Sequence, residues 1–96
     1  MATNNRIIPF IAVPPGETLR AELSARRITQ KEFAKLIGIQ LTHLREILNG
    51  KRDINLTIAI KLERQLGIPA EFWIRLQEEF KFDRIAIGIA SHVGKI

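Results

Sequence analysis

The chain contains no cysteine, so it holds no disulfide, no thiolate metal site and no cysteine nucleophile, and it suits a reducing compartment. Its two histidines, His43 and His92, lie far apart and lack the nearby carboxylate spacing of a catalytic or metal-binding group. There is no G-x-x-x-x-G-K-[ST] phosphate loop and no serine nucleophile elbow. These absences argue against an enzyme, and no catalytic residue, cofactor-binding residue or metal ligand is assigned. Long hydrophobic runs are missing as well. The apolar stretch near the N-terminus, IIPFIAV (Ile7–Val13), is broken by Pro9. It is too short to span a membrane and lacks a signal-peptide cleavage pattern, so the expected location is the cytoplasm, away from membranes.

What is present points to one small globular domain. The chain has 96 residues and 10.9 kDa, with 46% hydrophobic and 26% charged residues, which fits a folded chain rather than a disordered one. The formal net charge is +5. Between Glu17 and Arg52 eight basic residues stand against four acidic ones, so most of the excess lies in that stretch. It is the stretch that would attract an anion.

Apolar spacing predicts five helices. Pro14-Pro15-Gly16 stops any preceding element and sets up a start, after which Leu19 and Leu23 define the first helix. Thr29 and Glu32 form a capping box for the second, whose apolar stripe is Phe33, Ala34 and Ile37 and whose stop is Gly38. A third begins near Gln40, buries Leu44, Ile47 and Leu48, and ends at Asn49-Gly50. Asn55 caps a fourth, carrying Ile58, Ala59, Leu62 and Leu66, with Gly67 as its stop. Pro69 opens a fifth, with a wide stripe of Phe72, Trp73, Leu76 and Phe80. The closing segment supports two patterns: Ile85, Ile87 and Ile89 alternate like a strand, while Ile85, Ile89 and Val93 fit a helix. The expected organisation is thus an extended N-terminal segment over 1–13, a helical domain over 14–80 and a short extended tail over 81–96.

The second and third helices have the spacing of a helix-turn-helix. Two helices crossing steeply over a short turn need a small residue at the crossing, a residue that tolerates positive φ at the turn, and an apolar anchor in the second helix. Ala34, Gly38 four positions on, and Leu44 six further, followed by Ile47, supply these. With Leu44, Ile47 and Leu48 inward, Thr42, Glu46 and Asn49 face outward, flanked by His43 and Arg45, with Gln40 and Leu41 at the N-terminal end. In this motif the N-terminal part of the second helix enters the major groove. Gln40, Thr42, His43 and Arg45 carry groups that hydrogen-bond bases or phosphates, Arg45 suits guanine and Leu41 a thymine methyl, whereas Glu46 repels phosphate unless it accepts from a cytosine amino group. Gln30 begins the preceding helix and is placed for a phosphate contact, and Lys51 and Arg52 just after the recognition helix suit phosphate as well.

"VPPGETLRAEL", "TQKEFAKLIGIQLTHLREILNGKRDIN" and "LGIPAEFWIRLQ" resemble successive blocks of the HigA/VapI-type plasmid-maintenance antidotes, within the λ-repressor-like (XRE) helix-turn-helix group. The resemblance runs from about Val13 to Phe80. It implies an all-α, five-helix λ-repressor-like domain acting as a homodimer on palindromic operator DNA. It also implies a second role, neutralising a RelE-like toxin that cuts messenger RNA. By position, Gln30 and Gln40–Arg45 match the family's DNA-contacting region. Gln40-Leu41 stands where Ser or Thr is common, and Glu46 where Arg or Lys is frequent.

A twofold seam is expected from part of the Phe72, Trp73, Leu76 and Phe80 stripe, because a chain this small has little interior to cover it. Either apolar end, IIPFIAV or RIAIGIASHV, is a candidate to add a strand to a toxin, against packing on its own domain. Two other functions share the helix-turn-helix: a stand-alone transcriptional regulator without a toxin, and an interaction module that no longer binds DNA.

Overall fold

In the computed structural model, which describes residues 12–93, with side chains to residue 88, the chain folds as five helices: α1 (Pro15–Ala25), α2 (Gln30–Ile37), α3 (Leu41–Leu48), α4 (Leu56–Leu66) and α5 (Ala70–Val93). Pro15 occupies the first turn of α1, where its missing N–H has no intrahelical partner to lose. α1 ends with the Ile28 N–H donating back to the Leu23 carbonyl at 3.0 Å across Arg27, which has φ 58°. The expected capping box opens α2: the Thr29 hydroxyl accepts from the Glu32 N–H at 3.0 Å and the Glu32 carboxylate accepts from the Thr29 N–H at 2.9 Å. Asn55 caps α4 by accepting from the Ile58 N–H at 2.9 Å.

The core is a single cluster in which every helix takes part. Leu19 and Leu23 of α1, Phe33, Ala34 and Ile37 of α2, Leu44, Ile47 and Leu48 of α3, and Ile58, Ala59, Leu62 and Leu66 of α4 close around Trp73 of α5. α1 and α2 both pack on α3, while α4 packs on α2 and α5. Two guanidiniums staple this arrangement from outside. Arg26 donates to the Leu66 carbonyl at 2.9 Å, capping the C-terminus of α4, and also pairs with Glu22 at 3.1 Å. Arg20 donates to the Leu48 carbonyl at 3.2 Å and to the Asn49 side chain at 3.0 Å, capping α3 from α1.

The C-terminal tail corrects one expectation. Residues 81–93 are not extended but continue α5, which therefore runs for 24 residues across the boundary expected at 80/81. The physical reason is that adding turns to an existing helix costs no new nucleation, and no proline interrupts the segment. A lone strand there would need a neighbouring strand, and the described residues contain none. RIAIGIASHV accordingly offers helix, not a strand edge. IIPFIAV, the other expected strand donor, falls outside the described residues up to Ile11.

Among the described residues no helix is long and apolar enough to cross a membrane.

Candidate nucleic-acid interface

The pair α2–α3 is built by local chemistry. Gly38 sits at φ 74° in the left-handed region, which a residue with a Cβ enters only with strain. The Ile39 N–H returns to the Ala34 carbonyl at 3.0 Å, so the chain leaves α2 in a tight turn and re-enters a helix at Leu41. Leu44, Ile47 and Leu48 are completely or almost completely buried, which fixes the rotation of α3 about its axis. Thr42, Arg45 and Asn49 therefore form an exposed stripe at i, i+3 and i+7, with His43 and Glu46 half-buried beside it.

Gln40 is exposed and stands at the N-cap of α3 without a side-chain capping bond, leaving its amide unused by the helix. Leu41 is half-buried and packs against the core, so only part of it faces outward. Gln30 is the first residue of α2 and half-buried. Lys51 and Arg52 are exposed, and the N–H groups of both donate to the Glu46 carbonyl, at 2.8 and 3.2 Å, which folds their loop back onto α3. The Arg52 guanidinium reaches the Glu46 carboxylate at 2.7 Å. Glu46, the one acidic residue on this face, is thereby charge-compensated from within the chain. An exposed ion pair of this kind adds little stability; its effect is on the local field and on where Arg52 points.

Three residues that hold this surface in place escape a reading of the sequence. Gln77 on α5 is buried; its carboxamide oxygen accepts from the Ile54 N–H at 2.7 Å and its amino group donates to Asp53 at 3.3 Å. Lys81, one turn on, pairs with Asp53 at 3.2 Å. Together they moor residues 53–54, just past Lys51 and Arg52, to α5. A signal exists for Gln77 alone: it is a polar residue on the same stripe as Trp73 and Phe80. Arg20, which caps α3, carries none, because its partners lie 28 and 29 residues away.

The candidates for a dimer seam separate into two kinds. Trp73 is fully buried and Phe80 nearly so within the chain itself. Leu76 is half-buried against the core, and Phe72 is 38% exposed, meeting Trp73 edge to face with centroids 5.2 Å apart.

One titration is displaced. The Thr29 N–H, and after it the Thr29 hydroxyl, hold the Glu32 carboxyl below the usual carboxylate range. A carboxyl whose folded pKa lies below its unfolded value stabilises the fold above the unfolded pKa and loses that stabilisation as pH falls through the folded pKa. Thr29→Ala should cost about 1 kcal/mol at neutral pH, as loss of an N-cap hydroxyl does. Urea unfolding should show the difference from wild type narrowing as Glu32 protonates below its ordinary range. A gap that stays constant into acid would mean that the Thr29 hydroxyl does not help to hold Glu32 ionised, the Thr29 N–H being kept in the variant.

Residues 19–73 match the family model described as Helix-turn-helix. Virulence-associated protein A' of Dichelobacter nodosus is 31% identical over 80 residues, covering 82% of this chain and 70% of that protein. Antitoxin HigA-1 of Vibrio cholerae is 35% identical over 66 residues, covering 68% of this chain and 62% of that protein. The solved structure of Pseudomonas aeruginosa antitoxin HigA with the higBA promoter is 26% identical and superposes with a TM-score of 0.78, covering 86% of this chain and 91% of that one.

Proposed function

The chain belongs to the HigA/VapI-type antidotes of the helix-turn-helix family, and we propose that it is the antitoxin of a type II toxin–antitoxin module. In this reading it is a sequence-specific autorepressor that binds a palindromic operator as a homodimer and neutralises a RelE-like, mRNA-cleaving toxin. The observation that supports it most is the exposed Thr42–Arg45–Asn49 stripe on a rigidly seated α3, with Lys51 and Arg52 folded back beside it. In such a surface Gln40, Thr42, His43 and Arg45 read base edges, while Gln30, Lys51 and Arg52 hold phosphates. Glu46 positions Arg52 rather than facing DNA as a free carboxylate. A similar HigA from Pseudomonas aeruginosa has been solved with the higBA promoter, which supports DNA binding by this chain. Phe72 and Leu76 are the parts of the α5 stripe that stay accessible for a twofold seam.

Two measurements test the reading. Arg45→Ala should cost about 1–3 kcal/mol on the operator and relax preference at one base pair. An equal loss on every DNA sequence would make Arg45 a phosphate contact instead. Co-expression with the adjacent open reading frame should give a stable complex with a protein that arrests growth when expressed alone. A neighbour that is neither toxic nor bound would leave a stand-alone regulator.

A further inference from the structure

The flank formed by α2 and α4 carries a feature that operator binding does not use. Leu36, on α2, is 53% exposed and stands on the ridge between two open depressions. Arg27, Glu32 and Lys35 line one of them; Lys61 and Arg64 line the other. Four cations thus surround one apolar side chain, and the single carboxylate among them, Glu32, is already engaged by Thr29. The ion pairs among the described residues are Arg26–Glu22, Arg52–Glu46, Arg75–Glu71 and Lys81–Asp53. None involves Arg27, Lys35, Lys61 or Arg64. Arg27 also holds φ 58° at a helix C-terminal position that favours glycine.

We propose that this α2–α4 flank, centred on Leu36 and ringed by Arg27, Lys35, Lys61 and Arg64, docks an acidic segment of a partner protein that carries a large apolar side chain at its middle. Charge complementarity selects this occupant over the others. A second copy presenting the same flank would bring like charges together. The chain's own N-terminal segment, MATNNRIIPFI, contains Arg6 and no carboxylate, so it offers these cations nothing. A phosphate backbone would satisfy the four cations but leave Leu36 facing water, whereas a peptide with an apolar centre and acidic flanks satisfies both. Apolar anchor and charged rim are the usual division of labour in a protein interface. The inference does not rest on operator binding and stands or falls separately from it.

The test is a titration of the isotopically labelled full chain with a synthetic peptide carrying a central Leu-Phe pair flanked by Asp and Glu, followed by amide chemical shifts. Saturable shifts at Leu36, Lys61 and Arg64, with Gln40–Arg45 unmoved, are expected. Leu36→Ser and the double variant Lys61→Glu, Arg64→Glu should each weaken the peptide by about tenfold or more. Both substitutions are on the surface, and unchanged spectra elsewhere report that the fold is intact. Three results would overturn the proposal. They are an absence of saturable shifts, equal binding by a peptide with Ser at its central pair, or duplex DNA moving the Leu36 amide in the same way, which would assign the flank to nucleic acid.

Discussion

Gly16→Ala should destabilise the chain by about 3 kcal/mol, the upper part of the range for overpacking a closed interior. In a domain of this size that lowers the thermal midpoint by roughly 12–24 °C. A Cβ added at Gly16 would clash with the carbonyl oxygen of Ile47 and lie 2.6 Å from both the Cα and the carbonyl oxygen of Leu48. All three atoms are backbone, so no side chain can swing aside. α3 cannot retreat cheaply either, because Leu44, Ile47 and Leu48 are locked in the core and Arg20 caps its end. The glycine is required for close approach of two helices and not for its own backbone angles. Gly88→Ala is the control. It too lies within a helix, with nothing within 4 Å of the added methyl group, and should stabilise by about 0.5–1 kcal/mol. Equal effects at the two positions would mean that α1 and α3 do not touch as described. Because the clash falls on the end of α3, the proposed recognition helix, the variant should also lose DNA affinity at temperatures where it remains folded.

The caps and turns of this fold were legible because they are local. Thr29 with Glu32, Asn55 with the Ile58 N–H, and Gly38 after an apolar stripe each satisfy backbone groups within four residues of themselves. The spacing of Ala34, Gly38 and Leu44 was legible for the same reason, and with it the outward stripe of α3. The course of 81–93 was not, because Ile85 and Ile89 satisfy a two-residue and a 3.6-residue period equally. What decides between them is the absence of a partner strand and the helix already running from Ala70. The supports of the site were hidden for a different reason. Arg20 on α3, Gly16 against Ile47 and Leu48, and Gln77 on Ile54 join residues 23 to 32 positions apart, and periodicity carries no information about which helices meet. The Glu46–Arg52 pair falls between these cases. Its separation of six residues is not a helical neighbour spacing, and it forms only because the chain turns back after Asn49. On the proposed DNA-binding surface, the pair compensates the charge that would make Glu46 an awkward neighbour of phosphate.

Trp73→Ala should be comparably damaging, at about 3–5 kcal/mol. Total stability of a small domain is only about 5–15 kcal/mol, so this one change can leave the chain partly unfolded at growth temperature. Trp73 has no solvent exposure and lies in the same cluster as Leu19, Leu44 and Leu62, where α5 meets the rest of the domain. Removing it empties the space that seats α5 and loosens Gln77, one turn further along the same helix, from the Ile54 N–H. The mooring of the loop beyond Lys51 and Arg52 would weaken with it, so DNA affinity should fall before the helices melt. Trp73→Phe separates the packing contribution from a polar one. Among the described residues the buried indole N–H meets no protein acceptor, and an unpaired buried donor costs about 1–3 kcal/mol. Replacing it by Phe removes that cost while leaving a small void, which works the other way by roughly 24 cal/mol per Å³. The two effects should nearly cancel, giving a net change within about 1 kcal/mol when unfolding is followed by circular dichroism. A Phe variant as unstable as the Ala variant would mean that the indole N–H is satisfied in solution, and that the nitrogen, not the ring volume, seats α5.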